Sequence, residues 1–343
     1  MLALSGVVSW VIAAGVRRYA LDRALLDVPN HRSSHTVATP RGGGLAIAGV
    51  TVLGVAAAAA WGWIPTGLAV AIVGGGSLVA TVGWIDDRRG LPAPVRAVVH
   101  LIAAGWALAW LHGLPALQVG TGLVSLGWLG SIAAVVGIVW MTNLYNFMDG
   151  IDGLASGEAT IIGGFGGALL AAAGQPGLAF VAWLIAVASA GFLAWNWSPA
   201  KLFMGDVGSG FLGFVLAVLA VASENARAVP LLVWLTLSSA FVVDATTTLV
   251  RRALHGEQWY SAHRRHAYQR AVQGGMSHRR VTTIVLVLNT GLCVLAWLGW
   301  RWQQALLPTL GAGVLLTFLI YLMVERHRPM YPSSHSDTAA RSR

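Results

Sequence analysis

Apolar residues run along this chain in long, nearly unbroken blocks of about 15–22 residues. Short segments rich in Arg, Asp, His, Gly and Pro separate them. A helix that is apolar all round belongs in a core or in lipid, and one that crosses a bilayer needs roughly 20 residues. Eleven such runs occur, at 2–16, 43–63, 66–85, 95–111, 126–145, 159–173, 178–195, 207–222, 229–250, 281–300 and 305–324. They predict an all-α, polytopic membrane helix bundle of about eleven transmembrane helices; the sixth and eighth runs are short. The first run ends in Arg17-Arg18 without a small-residue cleavage site, so it is expected to remain as an anchor.

Composition sharpens this picture. Of 343 residues, 56% are apolar and only 10% charged, with a mean hydropathy of +0.69. Neither a soluble globule nor a disordered chain has that balance. The single Cys293 lies inside an apolar run, which excludes a disulfide framework and a cysteine-based zinc site. The organisation expected is one integral-membrane domain over 1–325, followed by a basic tail, 326–343, read as disordered. Functional segments are expected at 17–42, 86–96, 146–156, 196–209 and 251–280.

Basic residues orient the bundle, because Lys and Arg loops stay cytoplasmic. With the connections numbered alternately, all of the 22 Lys and Arg residues except Arg227 and Arg301 fall on one side. The N-terminus is therefore expected outside and the C-terminus inside. The net charge of +9 then belongs to the cytoplasmic face, where it meets anionic lipid. No soluble basic domain is present to hold nucleic acid.

The 13 acidic residues gather at that same face, with Glu158 at its boundary, Asp244 inside a helix near its inner end and Glu224 alone outside. Four clusters carry candidate chemistry. In Trp84-Ile-Asp86-Asp87-Arg88-Arg89, two adjacent carboxylates leave the membrane together. Neighbours on a helix point about 100° apart, so the pair need not share one role. One can accept a proton, or Arg88 and Arg89 can neutralise both as an interfacial salt-bridge patch. In Asn143-Leu-Tyr-Asn146-Phe-Met-Asp149-Gly-Ile-Asp152-Gly153, oxygen-bearing side chains recur at every third position and form one slowly turning stripe if the segment is helical. Such oxygens suit Mg²⁺. In the segment from Asn196 to Gly210, Asp206, an acid framed by glycines, opens a helix. It is either a simple cap or a place where helix N–H groups and a bound metal receive phosphate. The longest inner loop holds His263-Arg264-Arg265-His266; Arg beside His reads as an anion clamp or as topology charge. Together these describe phosphoryl chemistry at a membrane surface.

The same clusters, in this order, resemble the polyprenyl-phosphate N-acetylhexosamine-1-phosphate transferases, the MraY-like and WecA-like enzymes of glycosyltransferase family 4. The resemblance covers Asp27-Val-Pro29, Arg32-Ser-Ser-His35, Pro40-Arg-Gly-Gly-Gly44, Gly83 to Asp87, Asn143 to Leu154, Gly191 to Asn196, Phe203 to Ser209 and His263 to His266. It implies Mg²⁺-dependent transfer of a sugar 1-phosphate from a UDP-N-acetylated amino sugar to undecaprenyl phosphate, releasing UMP. Mn²⁺ is an alternative ion, and a homodimer is compatible with the reading. By motif, Asn146 and Asp206 are implied as metal ligands, and Asp86, Asp87 and Asp206 as catalytic. Asp149, Asp152 and Asn196 are implied at the nucleotide and sugar, and His263, Arg264 and His266 at the diphosphate. Asp244 with Arg251 looks WecA-like, and the segment from Asp27 to Gly44 resembles the WbpL-like branch that starts O-antigen with 6-deoxy amino sugars. The third loop lacks the doubled His common in the family, and Ser33 stands where many relatives carry Lys; both bear on sugar choice.

A rival reading is an ion-coupled or lipid-linked transporter, with Asp86, Asp87 and Asp244 as a proton relay. Clustering of the acids at one face, not at mid-membrane, favours the enzyme. The orientation is tested by thiol labelling of single-Cys variants in sealed membranes. Position 265 is expected to react from the inside and position 227 from the outside; the reverse would overturn the topology.

Overall fold

The computed structural model describes residues 1–29, 37–258, 261 and 263–331. Each of the eleven apolar runs falls on helix. The first six helices are α1 (Leu2–Asp22), α2 (Gly44–Ala60), α3 (Thr66–Arg89), α4 (Ala93–Leu111), α5 (Gly127–Met148) and α6 (Leu154–Ala172). They are followed by α7 (Pro176–Asn196), α8 (Asp206–Asn225), α9 (Leu231–Leu237), α10 (Ser239–Leu254), α11 (Ala267–Gln273), α12 (His278–Arg301) and α13 (Leu306–His327). Among the described residues, eight helices are long and apolar enough to cross a bilayer. The pair α9 and α10, bent by 80°, makes a ninth candidate. α2 is apolar but only 17 residues long. The chain is a multi-pass membrane protein.

Among the described residues, strands are confined to two antiparallel pairs. β1 (Leu26–Asp27) pairs antiparallel with β2 (Thr39–Pro40), and β3 (Ala116–Val119) with β4 (Gly122–Ser125). Beyond β2 the chain continues along the segment before α8. Phe203 N–H donates to Pro40 (2.8 Å), Gly43 N–H to Phe203 (2.9 Å) and Gly44 N–H to Met204 (2.9 Å).

α8 is the hub. Of its apolar window 89% is buried, against 28% in α4 and in α5 and 22% in α13, so those helices turn most of their surface to lipid. Small residues make this possible by letting backbones meet. A Cβ on Gly44 of α2 would lie 2.3 Å from Gly208 Cα, and one on Gly83 of α3 would lie 2.5 Å from the Asp206 carbonyl oxygen. On α8 itself, a Cβ on Gly213 would lie 2.2 Å from the Met141 carbonyl of α5. The two ends of α8 are polar and about 27 Å apart at 1.5 Å per residue, close to a hydrocarbon thickness. At the far end Glu224 accepts from Gln118 N–H (2.7 Å) and Leu231 N–H (2.5 Å), where β3 and the start of α9 close over it. At the near end α3, α5 and α7 finish while α4, α6, α8 and α12 begin, which brings the sequence clusters together.

Three expectations about local structure are corrected. Asn143, Asn146, Asp149 and Asp152 do not form one helical stripe: α5 stops at Met148, and Asp149 and Asp152 lie in the turn before α6. Glu158 is not a boundary residue but is fully buried within α6, where Asn289 of α12 donates to it. The sixth and eighth helices are accordingly longer than their apolar runs, because each continues through polar residues that have buried partners. The reading of the tail falls partly outside the described residues: α13 extends through His327, and 332–343 are not described. Arg32, Ser33 and His35 also lie outside the described residues.

Candidate active site

A cavity of about 750 Å³ opens where these helix ends meet. Beside it two guanidiniums interleave three carboxylates, of which Asp86 and Asp206 line the cavity. Asp206, the first residue of α8, has Arg41 at 2.8 Å on one oxygen and Arg96 at 3.1 Å on the other. Arg41 also reaches Asp87 (2.8 Å), and Arg96 reaches Asp86 (2.6 Å). Without the cations, carboxylates this close would repel by several kcal/mol, about 4 at 4 Å in partly screened surroundings. Burial works against the Arg41 guanidinium, but the Asp87 and Asp206 carboxylates outweigh it and hold its pKa above the ordinary value.

The adjacent acids divide their work, as their angular separation on α3 allows. Asp86 lines the cavity and accepts from the Leu91 N–H. Asp87 turns away from it: its side chain is 3% exposed and accepts from the Asp206 N–H (2.9 Å) and Val207 N–H (3.2 Å). A carboxylate from α3 thus satisfies the free donors at the start of α8 and complements its dipole. Gly205, at φ +76°, leaves room for this contact; a Cβ there would meet an Asp87 oxygen at 2.4 Å.

On the opposite wall Asn146 donates to the Ser209 hydroxyl (3.1 Å), and Asn146, Asp149 and Asp152 all line the cavity. Burial, with nearby Asp206, pushes the Asp149 carboxyl well above the usual range. Burial acts the same way on Asp152, but His278 at 3.1 Å and the Ala200 N–H outweigh it and hold that carboxyl below the usual range. Asn196 borders the cavity, and its amide makes three hydrogen bonds to the framework. It accepts from Gly153 N–H and Ser156 Oγ, both at 3.0 Å, and donates to the Leu202 carbonyl at 3.1 Å. Its contribution here is to brace the start of α6 against the segment leading to Asp206.

His263 and His266 line the third wall, their rings 4.7 Å apart. Burial, then His266, Arg252 and Arg265, push the His263 imidazole down to about 3, so it is neutral at pH 7. His266 is 2% exposed and stacked between Phe147 and Tyr268. Asp244 holds this wall from below, accepting from Ala267 N–H (2.8 Å) and Tyr268 N–H (3.1 Å), so its oxygens cap α11. Tyr268 Oη donates to the Phe147 carbonyl (2.8 Å) and joins this wall to the end of α5. Arg264, between the two histidines in sequence, is exposed and lies outside the cavity lining.

Arg41, Arg96 and His278 are wall residues that sequence reasoning did not single out. Arg96 carried a readable signal. A cation in the first turn of a helix opposes the helix dipole, so it needs an anion close by.

No group of three His, Cys, Asp or Glu side chains converges as a ready-made metal cage among the described residues. The donor set nevertheless fits Mg²⁺, which takes one or two carboxylates and fills its shell with water and substrate phosphate. Asp206 and Asn146 offer such oxygens to the cavity.

Residues 69–224 match the family described as Glycosyl transferase family 4. The chain is 30% identical over 295 residues to a probable undecaprenyl-phosphate N-acetylglucosaminyl 1-phosphate transferase of Bacillus subtilis. That match covers 81% of this chain and 78% of the relative. It is 32% identical over 322 residues to a decaprenyl-phosphate N-acetylglucosaminephosphotransferase of Mycobacterium tuberculosis, covering 83% and 79%. A phospho-N-acetylmuramoyl-pentapeptide-transferase of Synechococcus is 31% identical over 317 residues, covering 84% and 87%.

The division between the two acids is testable by thermal unfolding in detergent. Asp87→Ala leaves two helix-start donors unsatisfied and is expected to cost about 1–3 kcal/mol, whereas Asp86→Asn keeps near-native stability. Equal losses in the two variants would contradict the assignment.

Proposed function

Because the chain belongs to glycosyl transferase family 4, we propose that it transfers an N-acetylhexosamine 1-phosphate, or a 6-deoxy amino sugar 1-phosphate, from a UDP-sugar to undecaprenyl phosphate. The product is a lipid diphosphate sugar that starts a surface polysaccharide such as O-antigen, made on the cytoplasmic face of the bacterial inner membrane. The observation that carries this reading is the alternating cluster Asp86, Arg96, Asp206, Arg41 and Asp87, at the helix ends, beside a cavity lined by Asn146, Asp149, Asp152, His263 and His266.

In the reaction, an oxygen of the lipid phosphate attacks the β-phosphorus of the UDP-sugar. The bond from that phosphorus to the bridging oxygen breaks, and UMP leaves with the electron pair. A phosphate monoester has a second pKa near 6, so most of the nucleophile is already deprotonated at neutral pH and a strong base is unnecessary. The chemical need is charge management, because two anions must approach each other. Asp206 and Asn146 would hold a Mg²⁺ ion here, which would supply neutralising positive charge to the phosphates.

The chain's own residues do the rest. Arg41 and Arg96, both partly exposed and both paired with Asp206, turn from carboxylate to phosphate as substrates enter. Asp86 faces the lipid phosphate and takes up its residual proton. Asp87 positions Asp206 by holding the start of α8. Asp149 and Asp152 face the nucleotide and sugar side, with His278 fixing Asp152. His263, neutral, and His266 contact the diphosphate, while Arg264 contributes only to the positive face.

The test uses purified protein, UDP-N-acetylglucosamine and undecaprenyl phosphate, with UMP release as the readout. EDTA is expected to stop turnover and Mg²⁺ to restore it. Asp206→Asn is expected to lower kcat by at least about 10³-fold while the protein still folds. Turnover in EDTA, or full activity of the variant, contradicts the metal assignment.

A further inference from the structure

One carboxylate at the end of the last helix fastens both flanks of the histidine wall. Glu325 of α13 receives both terminal nitrogens of Arg251, at 2.6 and 2.9 Å, from the end of α10. It also receives Arg270 of α11 at 2.5 Å, and the Met330 N–H at 3.1 Å. Ser261, His263 and His266, which line the cavity, lie between those two arginines in sequence. Glu325 itself is not part of the lining.

Arg270 makes the arrangement consequential. It is 2% exposed, and its Nε donates to the Arg265 carbonyl (3.1 Å), one residue before His266. A terminal nitrogen of Arg270 also donates to the Arg328 carbonyl (2.7 Å). A buried guanidinium stripped of its anion is strongly disfavoured and must move toward water. Here that movement would drag α11 and the histidines with it. The chain just beyond α13 adds a second contact: the Tyr331 ring lies 4.9 Å from the Arg265 guanidinium and stacks on His255 at 3.8 Å.

We propose that Glu325 is a positioning residue that, through Arg251 and Arg270, holds His263 and His266 against the cavity. The kinetic part of this proposal rests on the transferase reading; the structural part does not. Tying the two flanks to one point removes much of the conformational freedom of the segment between them. The histidines are then organised before substrate arrives, so binding need not supply that ordering.

The experiment compares wild type, E325Q, E325D and R251K in detergent by hydrogen exchange without substrate, alongside thermal unfolding and kinetics. E325Q keeps the shape and removes the charge. Amides over 263–270 are expected to exchange at least about tenfold faster in E325Q, with α2 and α8 unchanged. E325D is expected to restore most of the protection. The kcat is expected to fall roughly ten- to a hundredfold, with the KM for polyprenyl phosphate unaltered. If E325Q does not accumulate, R251K, which loses the two-pronged contact but keeps the charge, should show a smaller acceleration in the same segment. Unchanged exchange over 263–270, or acceleration spread evenly through the bundle, overturns the proposal. Local acceleration in a protein whose wild type releases no UMP sustains the clamp and removes the transferase reading.

Discussion

The whole site depends on how Asp206 is held. It begins the most buried helix of the bundle, its backbone is capped by Asp87, and both of its oxygens are shared with arginines from separate elements. Three carboxylates can crowd the membrane rim because two guanidiniums stand between them. That balance is poised for exchange. A divalent cation on the acids would release Arg41 and Arg96 to phosphate without any large movement of the helices, which close glycine contacts lock together.

The helices were legible because lipid imposes a simple rule: long apolar runs must be helical, since backbone groups have no other partner there. Their ends were less legible. Glu158 reads as a boundary when polarity is taken as exposure, yet Asn289, far along the chain, gives it a partner inside. The stripe from Asn143 to Asp152 reads as helix from its spacing, but Gly150 and Gly153 permit the turn that places Asp149 and Asp152 on the cavity wall. Such outcomes are set by tertiary partners that no local pattern contains.

The candidate site was legible as residue types and order, and less so as roles. Asp86, Asn146, Asp149, Asp152, Asp206, His263 and His266 meet at one cavity. Asp87 and Asn196 were chosen for the same chemistry, but their polar atoms serve the framework. Spacing on one helix could show that Asp86 and Asp87 diverge, without showing which faces the ligand. Arg41 and Arg96 were hidden among charges that topology already explained. Arg264 stands beside the histidines in sequence, yet its side chain is exposed, a difference that local spacing does not contain.

The most direct test of the central claim is a structure determined with Mn²⁺ and a UDP-sugar, with the ion located by its anomalous signal. The account predicts Mn²⁺ at ordinary coordination distance, about 2.1–2.2 Å, from an Asp206 oxygen, with Arg41 or Arg96 turned to the diphosphate. An ion bound elsewhere, with both arginines still paired to Asp206, would contradict it.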